Sequence, residues 1–233
     1  MKKQGLLMLT VLGLMVCLVS APAHAQDGKI SLFAGYSYGT NNFYEDDPGL
    51  NGYTAAAVWN FNKHIGLEAN FSGHNGTTNV YTEMETGDPG YKDVVRQDLY
   101  TYTFGPRLSV PVGHFTLFTH ILVGVTHVHQ GYSEICTSST GATESCSEVD
   151  EDGENYTTSS HGTGFAFKTG GGVDWNHGNW GVRILEVDYI RSEVPITDKE
   201  FYSGESSYTY SYQEGANDFE LATGVTFTLG KSK

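Results

Sequence analysis

Apolar and polar residues alternate in eight stretches of the chain, and this pattern predicts eight strands. The clearest stretch runs from Ile65 to Ser72, where apolar residues share the odd positions with small or polar residues between them. Successive strand side chains point to opposite faces, so alternation is typical of strands with two unlike faces. The predicted strands are 30–38, 53–61, 65–72, 97–110, 115–128, 164–175, 180–190 and 219–229.

Short and long connections between these strands follow each other in strict rotation. The short ones are 62–64, 111–114 and 176–179, and the long polar ones are 40–50, 74–95, 129–162 and 194–217. A barrel inserted from one side of a membrane has short turns at one end and long loops at the other. The rotation therefore predicts an eight-stranded antiparallel up-and-down transmembrane β-barrel with three short periplasmic turns and four long extracellular loops.

Aromatic residues at the strand ends indicate which face meets lipid. Trp59, Trp175 and Trp180 flank the short turns, while Tyr36 and Tyr53 adjoin the first long loop. Aromatic girdles at both interfaces are typical of membrane barrels, whose interior is polar. A soluble exported barrel with its apolar face inward is the alternative. A proline cannot donate to a strand ladder, so we also expect a local bulge at Pro106 in the fourth strand.

The N-terminus has the pattern of a secretory signal peptide. Lys2 and Lys3 precede an apolar run over 6–19, and Ala23-His24-Ala25 forms a small-x-small cleavage site. The predicted division is a cleaved signal peptide over 1–25 and a barrel domain over 26–233. Cleavage moves the formal net charge from −14 to −16, and so acidic a chain repels nucleic acid.

Several short motifs resemble those of small eight-stranded bacterial outer-membrane barrels of the OmpA/OmpX-like, porin-like type. They are Phe33-Ala34-Gly35-Tyr36-Ser37-Tyr38, Gly105-Pro106-Arg107, Gly170-Gly171-Gly172-Val173-Asp174 and Glu186-Val187-Asp188-Tyr189. The last strand is similar to the signal read by the barrel-assembly machinery, with Gly224, Phe227 and Leu229 at its glycine and hydrophobic positions. Ala222 and the final Lys233 depart from that signal. The resemblance implies location in the outer membrane, contact with its lipid, and assembly through the last strand.

Charged residues occupy the polar face of the predicted strands and would lie in the barrel interior. An eight-stranded barrel is only wide enough for side chains to fill, and buried charges must be paired. The pattern therefore predicts a network of ion pairs in the lumen, with a gated proton or ion path as the alternative. Its predicted members are Glu68, Arg107, His120, Lys168, Asp174, Glu186 and Asp188, with Glu220 as a further candidate.

Two cysteines remain in the mature chain, and both lie in the third long connection. In an exported protein a single pair is typical of one disulfide, here Cys136–Cys146. Closing about ten residues would stabilise the fold by roughly 2–3 kcal/mol.

Other candidate sites are weak. His127, His129 and His161 share the start and end of the third connection but have no clear fourth ligand, so no metal or cofactor is predicted. His161 with Ser159 or Ser160 could form the pair used by lipid A-modifying barrels, but no oxyanion site accompanies it, so no catalytic residue is predicted. Acidic loop residues such as Asp150 lack the spacing of a calcium loop, which leaves only weak cation binding at the surface.

These observations favour a structural or surface-interaction role: membrane integrity, adhesion or partner binding through the acidic loops, with the partner unspecified. A small or gated porin-like channel is the main alternative, followed by a lipid A-modifying enzyme.

Overall fold

The computed structural model describes residues 29–40, 49–82, 90–137, 143–144, 156–202 and 207–229. Eight strands form the barrel: β1 Lys29–Gly39, β2 Leu50–Asn60, β3 Ile65–Thr82, β4 Gly90–Val112, β5 Phe115–Thr137, β6 Tyr156–His177, β7 Trp180–Tyr202 and β8 Ser207–Leu229. A two-residue strand, Thr143–Glu144, pairs with the end of β5. Within the described ranges, no helix is long and apolar enough to cross a membrane. The predicted signal peptide lies outside them.

The strands close into a ring. Each strand pairs antiparallel with its neighbours in sequence, and β1 pairs with β8 from Ile30–Leu229 to Gly39–Glu220. Between the turns and these last pairs, every strand has a neighbour on both sides, which is the condition for spanning lipid with strands. The predicted eight-stranded up-and-down barrel is confirmed.

Short turns join the strands at one end of the barrel. Gly113 and Gly178 have φ values of 61° and 65° in the β4–β5 and β6–β7 turns, the left-handed conformation that tight hairpins require and that glycine adopts without strain. In the β2–β3 turn, the Asn62 side chain accepts hydrogen bonds from the backbone N–H groups of His64 and Ile65 at 2.7 and 2.9 Å. Local sequence therefore fixes this end of the barrel.

At the opposite end, six strands extend well beyond the predicted boundaries. The predicted long connections 74–95, 129–162 and 194–217 are largely strand in the structure. The outward face of these segments carries polar residues such as Thr197 and Ser211, whose hydroxyl groups are exposed. The lipid-facing apolar pattern therefore ends at the membrane although the backbone pairing continues. β1 and β2, at 11 residues each, match the 9–11 residues that cross a bilayer.

The predicted bulge at Pro106 is wrong. β4 pairs with β3 in continuous register through Pro106. Its pairing with β5 lapses at Gly105 and Pro106 but resumes at Arg107 without a shift. A bulge instead lies in β7 between Arg183 and Glu186.

The barrel exterior is apolar and its interior is polar, as the membrane interpretation predicts. Large exposed apolar side chains form an apolar belt around the outside of the barrel, on the side of the short turns. They include Leu32, Phe104, Leu117, Val123, Val125, Ile184, Val187, Leu221 and Val225. Trp180 is 63% exposed beside a turn and Tyr36 is 51% exposed near the other edge, in the girdle positions. Glu68 and Lys168 are fully buried inside. A soluble barrel with its apolar face inward would have the reverse arrangement, so that alternative is wrong.

Candidate functional site in the barrel lumen

The lumen contains a continuous network of ion pairs, and it brings together all seven residues predicted from the sequence. Near the turns, Asp174 lies between two arginines. Its Oδ2 is 2.9 Å from Nη2 of Arg107 and its Oδ1 is 2.8 Å from Nε of Arg183. Arg183 also pairs through Nη1 with Oε2 of Glu186 at 2.8 Å, and Arg107 reaches Oε2 of Glu68 at 3.5 Å.

The next layer of the network is centred on His120. Its Nδ1 lies 3.3 Å from Oε2 of Glu68, and its Nε2 lies 3.0 Å from Oδ1 of Asp188. Lys168 is fully buried and pairs through Nζ with Asp188 at 2.9 Å and with Glu220 at 3.1 Å. Glu220, the further candidate from the sequence, therefore belongs to the network.

Two phenylalanine rings make cation–π contacts with the arginines. The guanidinium carbon of Arg107 lies 3.7 Å from the ring centre of Phe118. The guanidinium carbon of Arg183 lies 3.8 Å from the ring centre of Phe33 and 4.4 Å from that of Phe118. Desolvated cation–π contacts of this kind are worth about 2 kcal/mol each. The two rings thus help to fix both arginines inside the barrel.

Arg183 is the network residue that the sequence pattern missed. Strict alternation would place it on the lipid face with Leu185 and Val187, because all three occupy odd positions. The β7 bulge turns Arg183 inward and leaves Ile184 and Leu185 both about half exposed on the outside. The adjacent apolar pair Ile184-Leu185, which breaks the alternation, is the signal that could have found it.

Above the ion pairs, the lumen is closed by two further layers. Hydroxyl groups form the first, where Thr126 lies 3.1 Å from both Thr101 and Ser192. An apolar cluster forms the second and consists of Leu99, Val128, Val194, Ile196 and Ala216. At the turn end, a cavity of about 360 Å³ has Arg107, Asp174 and Arg183 in its lining. Above this cavity, three successive layers of buried side chains fill the described lumen.

The candidate catalytic residues divide between the two faces of β6. His161 is exposed and Ser160 is buried, because adjacent strand residues face opposite ways, whereas Ser159 is on the same face as His161. A different pair, for which the sequence carries no motif, lies inside: the Ser37 hydroxyl is 2.9 Å from Nε2 of His74. Ser37 is fully buried and His74 is 4% exposed, so neither reaches the lipid face.

The other sequence candidates lie apart from the network. Nδ1 of His127 is 2.7 Å from the Thr163 hydroxyl. His129 stands opposite His161 across the β5–β6 ladder, with its Nδ1 3.9 Å from Asp98. Cys146 lies outside the described residues, as does the side chain of Cys136, so the disulfide stays a prediction. Asp198, which the sequence placed in a loop, is instead a buried residue of β7.

We expect Arg107→Gln to lower the free energy of unfolding by about 1–3 kcal/mol, the usual cost of leaving buried polar groups unsatisfied. The loss is limited because Asp174 would still pair with Arg183, and Glu68 would still pair with His120. Urea unfolding of the barrel in lipid vesicles measures this change in free energy. Planar-bilayer conductance should stay at the wild-type level because the hydroxyl and apolar layers remain. An unchanged unfolding midpoint would contradict the pairing role.

The fold resembles that of solved bacterial barrels. Ail, the attachment invasion locus protein of Yersinia pestis, is 18% identical with a TM-score of 0.44, over 87% of this chain and 100% of that chain. A major outer membrane protein from Thermus thermophilus is 11% identical with a TM-score of 0.49, over 88% and 100%. The outer membrane protein OprG from Pseudomonas aeruginosa is 9% identical with a TM-score of 0.48, over 89% and 98%. At these identities the likeness concerns fold alone.

Neither the family models nor the curated proteins contain a match to the chain. Its closed ring, apolar exterior and charged interior are those of a small outer-membrane barrel. The protein lies in the bacterial outer membrane, with membrane lipid around its apolar belt.

Proposed function

We propose that the barrel is a non-enzymatic membrane anchor that presents a sheet of strands at the cell surface for contact with a partner. We call this sheet the projecting sheet. It comprises the parts of β3–β8 beyond the last pairs made by β1 and β2, which are Gly39–Glu220 and Asn51–Asn75. Assembly through the last strand by the barrel-assembly machinery is part of the same proposal.

The length of the projecting sheet is the observation that carries the proposal. Residues 207–219 of β8 lie beyond its last partner on β1, which corresponds to about 40 Å along the strand at roughly 3.3 Å per residue. β7 pairs with this segment as far as Phe201–Ser207. Loops that only connect membrane strands need no such ordered length, so a platform for contacts accounts for it better.

The filled lumen favours this role over a channel. A pore needs a continuous wet path, whereas Lys168, His120, Leu122 and Ile196 are all buried inside the barrel. We therefore expect no steady conductance when the purified protein is added to a planar bilayer. The acidic chain, with a net charge of −14, favours neutral or basic partners over anionic ones.

Shortening the projecting sheet tests the proposal. We would delete residues 197–211 and join Ile196 to Tyr212, which are opposite each other in the β7–β8 ladder, through an Asn-Gly turn. The belt and the ion pairs are untouched, so we expect normal insertion, checked by heat-dependent gel mobility. Retention of producing cells on surfaces coated with a basic protein or a neutral polysaccharide should fall to the level of cells without the gene.

Two results would contradict the surface role. The first is full-length protein that gives no more retention than cells lacking it. The second is a shortened barrel that retains cells as well as the full-length protein does. Steady conductance of the full-length protein would favour the channel instead.

A further inference from the structure

We infer that the lumen holds one divalent transition-metal ion of the zinc class between Glu68, His120 and Glu186. Within the described residues, this is the group of His, Cys, Asp and Glu side chains whose ligand atoms converge, all within 4.8 Å of one another. All three side chains are at most 1% exposed. The proposal is separate from the surface role, which depends on the projecting sheet.

The spacing of the ligand atoms fits a metal ion. Nδ1 of His120 lies 3.3 Å from Oε2 of Glu68 and 3.9 Å from Oε1 of Glu186. Zinc bonds to imidazole and carboxylate are about 2.0–2.2 Å, so a tetrahedral site separates its ligand atoms by roughly 3.3–3.5 Å. The three ligand atoms lie within 4.8 Å of one another, so a modest inward movement of the Glu186 carboxylate would bring all three within bonding distance of one ion. A fourth position would remain for water.

An unpartnered carboxylate oxygen points to the same place. Oε1 of Glu186, which faces Nδ1 of His120 at 3.9 Å, has no hydrogen-bond donor among the described residues. Buried polar atoms are normally satisfied, and each exception calls for an explanation such as an ion. A metal ion at Nδ1 would bind the free oxygen of Glu186 directly.

The surroundings orient the three ligands as metal sites do. Asp188 accepts from Nε2 of His120 at 3.0 Å, and a carboxylate on the far nitrogen is the usual partner of a metal-bound histidine. This bond leaves Nδ1 facing Glu68 with a lone pair. Two hydrogen-bond acceptors, an uncharged ring nitrogen and a carboxylate, then face each other unless a proton or a metal ion lies between them. Arg183 holds the other oxygen of Glu186 at 2.8 Å.

The charge of the network matches a divalent ion. The carboxylates in it are Glu68, Asp174, Glu186, Asp188 and Glu220, whereas its permanent cations are Arg107, Lys168 and Arg183. With neutral His120 the network carries two excess negative charges. One divalent ion would make it neutral, which is the condition that burial favours.

Elemental analysis tests the inference. The mature barrel is refolded with Zn²⁺ and passed over a desalting column, and the zinc bound to it is then measured. We expect one Zn²⁺ per barrel in the wild type and at least a tenfold lower content in His120→Gln and in Glu186→Gln. The matched control is His161→Gln, which alters an exposed histidine outside the lumen and should keep the full content. Heat-dependent gel mobility confirms that each variant is folded.

A second measurement decides the question if the lumen variants do not fold. The wild type refolded with Co²⁺ should show visible absorption of a four-coordinate site with imidazole and carboxylate ligands. Wild-type barrel without bound Zn²⁺ and without this absorption would overturn the proposal, since a proton would then occupy Nδ1. Full Zn²⁺ content in folded His120→Gln and Glu186→Gln would overturn it too, because the ion would lie elsewhere.

Discussion

Replacing Arg183 by Met is expected to lower the free energy of unfolding by about 3–5 kcal/mol, the usual cost of removing one partner of a buried ion pair. Arg183 is 1% exposed and contacts two acids, Asp174 and Glu186, each at 2.8 Å. Its removal leaves Glu186 without its arginine and Asp174 with Arg107 alone. The side chain is also stacked on Phe33, so the loss includes a cation–π contact. Urea unfolding of the barrel in lipid vesicles measures the change.

The matched control is Arg191→Met on the same strand. Arg191 pairs with Glu193 at 3.4 Å, but their side chains are 38% and 59% exposed. Exposed pairs contribute about 0–1 kcal/mol, so this variant should unfold almost as the wild type does. The double variant Arg183→Met with Glu186→Gln should recover part of the loss because one unpaired charge disappears with its partner. Equal unfolding midpoints for Arg183→Met and Arg191→Met would show that burial adds nothing to the pair.

The second large effect concerns closure of the ring, which we expect Gly35→Val to prevent. Gly35 stands opposite Gly224 where β1 meets β8. A Cβ at Gly35 would lie 2.1 Å from the carbonyl oxygen of Thr223 and 2.9 Å from Cα of Gly224. Both are backbone atoms, so they can yield only if the strands separate. Because an open edge cannot remain in lipid, most of the variant should fail to fold.

Gly131→Val provides the control for this experiment. A Cβ at Gly131 on β5 would meet nothing within 4 Å, and valine is a good strand residue. We therefore expect its free energy of unfolding to lie within about 0.5 kcal/mol of the wild-type value. Its folding yield should equal that of the wild type. The measurement is the fraction of heat-modifiable barrel after refolding into vesicles. Wild-type yield for Gly35→Val would show that the close approach of β1 and β8 is not required.

Much of this architecture could be predicted from the sequence because lipid imposes a strict pattern. The alternation over 65–72 identifies a strand and shows which of its faces meets lipid. The short turn at 62–64 shows which end of that strand lies on the periplasmic side. The interior charges follow from the same alternation, which is why Glu68, Arg107 and Lys168 were placed in one network. Within the membrane, odd and even positions of a strand face lipid and lumen in turn, so a residue's position in the alternation determines its environment.

The same reasoning fails where parity breaks or where lipid no longer acts. The β7 bulge shifts the parity of Arg183, and strict alternation cannot place it. Beyond the membrane, Tyr208, Tyr210 and Tyr212 alternate with serine and threonine, but they occupy even positions, which is the parity of the lumen face in β8. The lipid-facing pattern therefore does not mark the continuing strand. Convergence of Glu186 on His120 depends on side-chain rotamers and on a neighbour 66 positions away in sequence, which no spacing rule encodes.

The unequal strand lengths also give the wall an uneven resistance to opening. The ladders β8–β1, β1–β2 and β2–β3 have 10, 11 and 10 residue pairs, whereas β4–β5 has 21 and β7–β8 has 20. A fluctuation that parts neighbouring strands breaks fewest hydrogen bonds in that sector. Amide hydrogens of β1 and β2 should therefore exchange with solvent sooner than those at the same membrane depth on β4 or β7. Transient opening of the barrel wall is then concentrated at β1 and β2.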